Sequence, residues 1–198
     1  MRLVLATRNA GKVAELRRIL DGLGVELVDA DAAGLPEVEE TGDSFTANAL
    51  LKAVAAAAAC GLACIADDSG LVVDALDGEP GILSARYAGM HGNDAENLAL
   101  VLQRMDGRDD RRARFVCAAA LAAPDGRTWT AGGVLEGSLV TVPRGDGGFG
   151  YDPIFLPDGQ TRTTAELAPA DKDAISHRGR AFRSLRGAVA ELVATDRG

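Results

Sequence analysis

Phe115 to Ala131 reads FVCAAALAAPDGRTWTA. An apolar run through Ala122 meets Pro124-Asp125-Gly126, whose residues suit a turn, and Thr128 to Ala131 then returns with β-branched and aromatic residues. That pattern predicts a β-hairpin. Upstream, Leu3–Ala6 and Val25–Val28 read as short strands. Leu62–Ala66 reads as a central strand ending at Asp67. Helices are predicted over Ala10–Leu20, with Val13, Leu16 and Leu20 on one stripe and Asn9 as cap, and over Phe45–Cys60 behind the Thr41–Ser44 turn. A third is expected over Asp94–Met105, with Leu98, Val101, Leu102 and Met105 inward. A last one is expected over Ser176–Ala194, with Phe182, Leu185, Val189 and Leu192 on one face. Gly145–Gly150 reads as a loop and Ile154–Leu156 as a short strand. Helices mixed with strands that include a hairpin give an α/β fold with a mixed sheet.

The chain has 198 residues, a length that favours one domain over residues 1–198. Aromatic residues make up only 4% of it, so the predicted core is built from Leu, Val, Ile and close-packed Ala. A net charge of −8 argues against nucleic acid as the main partner, because a phosphate backbone demands a basic face. It leaves room for a nucleotide neutralised by local cations and a metal ion. Three cysteines, Cys60, Cys64 and Cys117, form no disulfide framework and read as reduced, packed thiols. No apolar stretch has the length of a signal peptide core or of a membrane span, so the expected location is the cytoplasm.

Five segments carry chemistry. Thr7-Arg8-Asn9-Ala10-Gly11-Lys12 joins a strand to a helix N-terminus, where backbone N–H groups favour an anion. Lys12 in the first turn opposes the helix dipole, which makes sense if it serves a phosphate. The same residues also read as a solvated Lys beside an ordinary Asn cap. Ala6 and Val13 exclude a Walker A loop. Asp67-Asp68-Ser69-Gly70 reads either as a carboxylate pair at a sheet edge, placed to bind Mg²⁺ and accept a proton, or as an acidic turn. Glu39-Glu40-Thr41-Gly42 alone reads as a solvated acidic loop and, beside that pair, as a second carboxylate source.

Gly145 to Pro153, GDGGFGYDP, allows close backbone approach to a ligand. Phe149 is placed to stack on a nucleobase and Asp152 to accept from a base N–H, unless Phe149 and Tyr151 tuck into the core. Lys172 and Ser176-His177-Arg178 offer donors to carbonyl or phosphate oxygens, or read as a lone surface histidine of no special role. His91 has no chemical context and reads as a surface histidine.

In this order the segments closely resemble the non-canonical purine nucleoside triphosphate pyrophosphatase family, also called the inosine triphosphate or XTP/dITP diphosphatase family. The likeness runs from Leu3 to about Leu185 through ATRNAGK, EETG, ADDSGL, PGILSARYAG, GGFGYDPIF, TAELAPADK and ISHRG. It implies an elongated mixed α/β sheet with flanking helices, two lobes around a substrate cleft, and a homodimer. It implies hydrolysis of ITP, dITP or XTP to the monophosphate and pyrophosphate. By this resemblance Thr7, Arg8, Asn9, Ala10, Gly11 and Lys12 would hold the triphosphate, with Lys52 also reaching it. Asp68 would bind Mg²⁺ and take the water's proton, Glu40 would be a second metal ligand, and Ser69 would touch substrate. Phe149 would stack on the purine beside Gly150, Tyr151 and Asp152. Lys172, His177 and Arg178 would read the 6-oxo group.

Donors set for a 6-oxo group are left unsatisfied by a 6-amino group, at about 1–3 kcal/mol per buried group, which disfavours ATP. Guanine shares the 6-oxo group, so this logic does not separate GTP. The family often carries an acidic residue where Ala47 stands in this chain. Two other readings are a pyrophosphatase for other modified nucleotides and a nucleotide-binding regulator without turnover.

Overall fold

The structure, a computed structural model, describes residues 1–90 and 92–196; His91 lies outside the described residues. The strands are β1 Arg2–Leu5, β2 Glu26–Asp29, β3 Ala63–Val73, β4 Arg112–Ala122, β5 Thr128–Leu139 and β6 Phe155–Pro157. The helices are α1 Ala10–Ile19, α2 Phe45–Cys60, α3 Asp94–Arg104, α4 Pro169–Ile175, α5 His177–Ser184 and α6 Arg186–Asp196. One mixed sheet has the order β2-β1-β3-β4-β5-β6, with β1 parallel to both β2 and β3 and β6 antiparallel to β5. The α/β class read from the hairpin is the one found.

The chain divides into two compact units. The first is 1–68, 117–133 and 178–198; the second is 69–116 and 134–177. In the first unit the strand period of two sorts side chains cleanly between two layers. Leu3, Leu5, Ile65, Cys117, Ala119 and Leu121 face one way, against Leu16 of α1, Ala181 and Phe182 of α5, and Val189 and Leu192 of α6. Val4, Cys64, Ala66, Ala118, Ala120 and Ala122 face the other way, against Ala49, Ala53, Ala56 and Ala57 of α2. Alanine on both sides lets α2 lie close on the sheet, which explains how a core poor in aromatic residues is packed. Ser44 caps α2 by accepting from the Ala47 N–H at 3.3 Å, and Gly61 closes it in the left-handed region at φ 67°. The second unit has its own core, in which Phe115, Phe155, Ile154 and Tyr151 pack with Val101 and Met105 of α3.

Three expectations are corrected. β3 does not end at Asp67: it runs on through the Asp-Asp step to Val73, with Asp67 and Asp68 both buried. Nor does that step sit at a sheet edge, since β3 lies between β1 and β4, although β1 stops at Leu5 opposite Ile65. The strand continues because both carboxylates have partners, described below. The predicted helix over 176–194 is two helices, α5 and α6. They part at Leu185, whose N–H donates to the Phe182 carbonyl at 3.1 Å in a tighter three-residue turn. The buried stripe Phe182, Leu185, Val189 and Leu192 survives that break. Helix α4 before it, and the 3₁₀ turn that takes Ile154 out of β6, were not legible in the apolar spacing.

Ala53→Leu should lower the unfolding free energy by about 1–3 kcal/mol, because the added methylenes have no room between α2 and the sheet. Urea denaturation checks this; an unchanged midpoint would mean that the alanine layers are loosely packed.

Candidate active site

The pleat of β3 gives Asp67 and Asp68 opposite surroundings. Asp67 shares the odd-numbered face with Ile65, so it meets α1 and α5. Lys12 Nζ lies 3.1 Å from Asp67 Oδ2, and Arg178 Nε donates to the same oxygen at 3.2 Å. Arg178 Nη1 in turn donates to Glu15 on α1. Glu15, Asp67 and Arg178 are 3%, 1% and 2% exposed, so this is a buried array of alternating charge. Burial alone would push the Asp67 carboxyl up. Lys12, Arg178 and Lys52 outweigh it and hold Asp67 ionised well below the ordinary carboxylate range. Burial would likewise lower Arg178, but Asp67 and Glu15 raise it above its ordinary value.

Asp68 shares the even-numbered face and meets α2. Asn48 Nδ2 donates to Asp68 Oδ2 at 3.0 Å, and Asn48 Oδ1 accepts from the Gly42 N–H at 2.7 Å. Asn48 therefore ties the Glu39–Gly42 loop to the acidic step. A side chain at 42 would meet Asn48 Oδ1 at 2.7 Å and the Ala47 Cβ at 2.8 Å, so glycine is required there. Burial raises the Asp68 carboxyl above its ordinary value and Glu40 adds to the rise, while Lys52, Asn48 and Lys12 pull against it. Lys52 is ion-paired with Glu40. Ala47 brings no carboxylate, so the second acid near Asp68 is Glu40.

These donors suit Mg²⁺. Hard carboxylate oxygens from Glu40 and Asp68 match a cation that takes one or two carboxylates and completes its shell with water and phosphate oxygens. Among the described residues no group of three or more His, Cys, Asp or Glu is placed to form a closed protein cage.

Along the Thr7–Lys12 segment, Asn9 accepts the Lys12 N–H at 2.9 Å and caps α1 as expected. Helix geometry then leaves the Ala10 and Gly11 N–H groups without intrahelical acceptors, a polar rim suited to an anion. Thr7 Oγ1 accepts from the Asn9 N–H at 3.2 Å and shapes the entry to the helix. Arg8 points elsewhere: Nε donates to Asp31 at 2.8 Å and Nη2 to the Leu35 carbonyl.

In the second unit the GGFGYDP loop is organised around Asp152, which is 2% exposed. Its Oδ2 accepts from the Phe149 N–H at 2.8 Å and from Lys172 Nζ, and its Oδ1 accepts from Thr164 Oγ1 at 2.7 Å. Gly148, at φ 71°, would drive a Cβ into that carboxylate, which is why glycine precedes the aromatic. Lys172 Nζ lies 5.1 Å from the Phe149 ring centroid, a cation–π distance. Phe149 is half-buried, whereas Tyr151 is 5% exposed and donates its hydroxyl to the Ser84 carbonyl at 2.8 Å. Tyr151 is thus a core residue as well as a loop residue. Ser69, half-buried, follows Asp68 on β3, and Gly150 follows Phe149 at φ 62°. His177 is buried and stacked on Phe115, with centroids 4.8 Å apart and planes at 15°.

The structure therefore gathers Lys12, Lys52, Glu40, Asp67, Asp68 and Arg178 in the first unit. It gathers Phe149, Asp152 and Lys172 in the second. Sequence reasoning missed Glu15, Asn48 and Thr164, which hold the named groups in place. Only Glu15 carried a signal, an acidic residue at i+3 from Lys12 on one helix face.

A helix N-terminus, a lysine and two hard carboxylates suit the chemistry of phosphate-ester and anhydride hydrolysis. The chain belongs to the Ham1 family, whose model matches residues 3–188. It is 57% identical over 197 residues to the dITP/XTP pyrophosphatase of Streptomyces coelicolor, covering 97% of this chain and 98% of that one. Among solved structures, the HAM1 protein from Coxiella burnetii matches with a TM-score of 0.87 and 42% identity over 96% of this chain and 99% of that one. The nucleoside-triphosphatase / dITP/XTP pyrophosphatase from Mycobacterium abscessus matches with a TM-score of 0.74 and 51% identity, over 93% and 98%.

Arg178→Ala should destabilise the protein by about 3–5 kcal/mol, because it leaves Glu15 and Asp67 buried as like charges without their shared cation. Chemical denaturation measures this, and a loss under 1 kcal/mol would remove the array from the core's account.

Proposed function

We propose that the chain hydrolyses dITP, ITP and XTP to the nucleoside monophosphate and pyrophosphate. The observation that carries this reading is the division of labour at the acidic step: Asp67 is locked in ion pairs, while Asp68 keeps a raised carboxyl beside Glu40. A carboxylate held above its ordinary range is the better proton acceptor, so Asp68 takes the proton of the attacking water. Lys12, the Ala10 and Gly11 N–H groups and Lys52 bind the phosphate oxygens and hold the triphosphate in line. Asp68 and Glu40 would hold Mg²⁺, which when bound would supply positive charge to offset that of the phosphates.

In the second unit Phe149 stacks on the purine. Lys172 and His177 offer donors to the 6-oxo group, and Asp152 fixes the loop. Arg178 acts from the first unit as the cation that orders Asp67 and Glu15. The whole chain works as one domain, assembled as a homodimer. The cytoplasm is its compartment: no helix among the described residues is long and apolar enough to cross a membrane, and Cys60, Cys64 and Cys117 are free thiols. The identity with the Streptomyces coelicolor enzyme over nearly the full length supports the substrate class.

Offered ITP, XTP, GTP, ATP and dTTP with Mg²⁺, the protein should turn over ITP and XTP in preference to ATP, releasing pyrophosphate. Release of inorganic phosphate and a diphosphate would contradict cleavage between the α and β phosphates. Asp68→Asn should lower kcat by about 10²–10⁴-fold. Full activity in that variant would take the base role from Asp68.

A further inference from the structure

The stacking ring of Phe149 is useful only if its backbone is fixed, since the loop that carries it contains Gly147, Gly148 and Gly150. Two peptide N–H groups flank the Phe149 Cα: its own, and that of Gly150. Asp152 Oδ2 accepts the first at 2.8 Å. Asp94 Oδ2 accepts the second at 2.7 Å, from 56 residues away in the sequence. Both torsions of Phe149 are thereby clamped, one by each carboxylate.

Asp94 is the first residue of α3, and α3 is a firm anchor. Asn97, 2% exposed, accepts from the Ala88 N–H at 2.7 Å and donates to the Ala85 carbonyl at 3.2 Å. Val101 and Met105 seat the same helix in the second unit's core. The Tyr151 hydroxyl reaches the same 81–88 stretch at the Ser84 carbonyl. Held this way at Phe149, Gly150 and Tyr151, the loop has little freedom left to lose when a base arrives, and preorganisation of that kind appears as affinity.

We propose that Asp94 is a positioning residue for base recognition: through the Gly150 N–H it sets the plane of the Phe149 ring against the purine. The inference rests on the reading of Phe149 as the stacking residue. Asp94 also favours the α3 N-terminus by its charge, a role that ring placement does not require. Asp94→Asn separates the two, because the amide loses the charge yet keeps an oxygen that accepts the Gly150 N–H.

Steady-state kinetics with ITP and Mg²⁺ on the full chain test this. Asp94→Ala should raise KM roughly three- to tenfold and change kcat less than about twofold, with Asp94→Asn near wild type. In a Phe149→Ala background the further change Asp94→Ala should have no effect on KM, because its target is gone. An unchanged KM in Asp94→Ala, when Phe149→Ala alone raises KM, would overturn the positioning role. So would an equal rise in both backgrounds, or an Asp94→Asn variant as impaired as Asp94→Ala. If Phe149→Ala itself leaves KM unaltered, it is the stacking reading that fails, and the positioning role fails with it.

Discussion

Asp67 is 1% exposed in the middle of a sheet strand, where a lone carboxylate would cost several kcal/mol. Lys12 and Arg178 make it tolerable, and Glu15 does the same for Arg178. This array joins α1, β3 and α5, so the Thr7–Lys12 segment at the head of α1 takes its position from a charge buried on β3. Lys12 is an awkward residue for a helix N-terminus, and the ion pair explains how it is held there without salt from solvent.

Adjacent carboxylates usually compete, since one ionised group raises its neighbour. Here the pleat turns them apart. Asp67 faces Lys12 and Arg178 and stays charged, serving as a strut. Asp68 faces Asn48, Glu40 and Lys52, a more balanced set in which burial prevails. The same sequence step therefore contains a strut and the group proposed as the base, and the difference arises from strand geometry rather than from residue type. The second unit repeats the pattern in a milder form. Asp152 is saturated by Phe149, Lys172 and Thr164 and acts by fixing a loop.

Much of this was legible in the sequence because it depended on local rules. The Asn9 and Ser44 caps, the full span of α2 and the turn after Ala123 follow from residues a few positions apart. The alanine-rich core followed from composition. The partners of the site groups did not. Glu15 and Arg178 are 163 residues apart and Asn48 and Asp68 are 20 apart, and no periodicity announces such pairings. The misread end of β3 has the same origin. Asp-Asp-Ser-Gly looks like a turn when its carboxylates lack partners, and it is a strand once Lys12, Arg178 and Asn48 supply them. The reading of Arg8 as a phosphate ligand met a side chain turned toward Asp31 and Leu35 instead.

Asp67 and Asp68 differ in proton affinity because of what faces them. For Asp67 the folded carboxyl lies below its unfolded value, so its stabilisation is complete above about pH 4 and is lost as pH falls toward the folded value. For Asp68 the sign is opposite: its folded carboxyl lies higher, so ionising it above the unfolded value costs stability. Carbon-detected NMR of both side-chain carboxyls, followed through an acid titration of the metal-free protein, tests this directly. Asp68 should take up its proton above the ordinary aspartate value, while Asp67 remains ionised until the fold itself is lost. Two carboxyls titrating together near the ordinary value would contradict the claim.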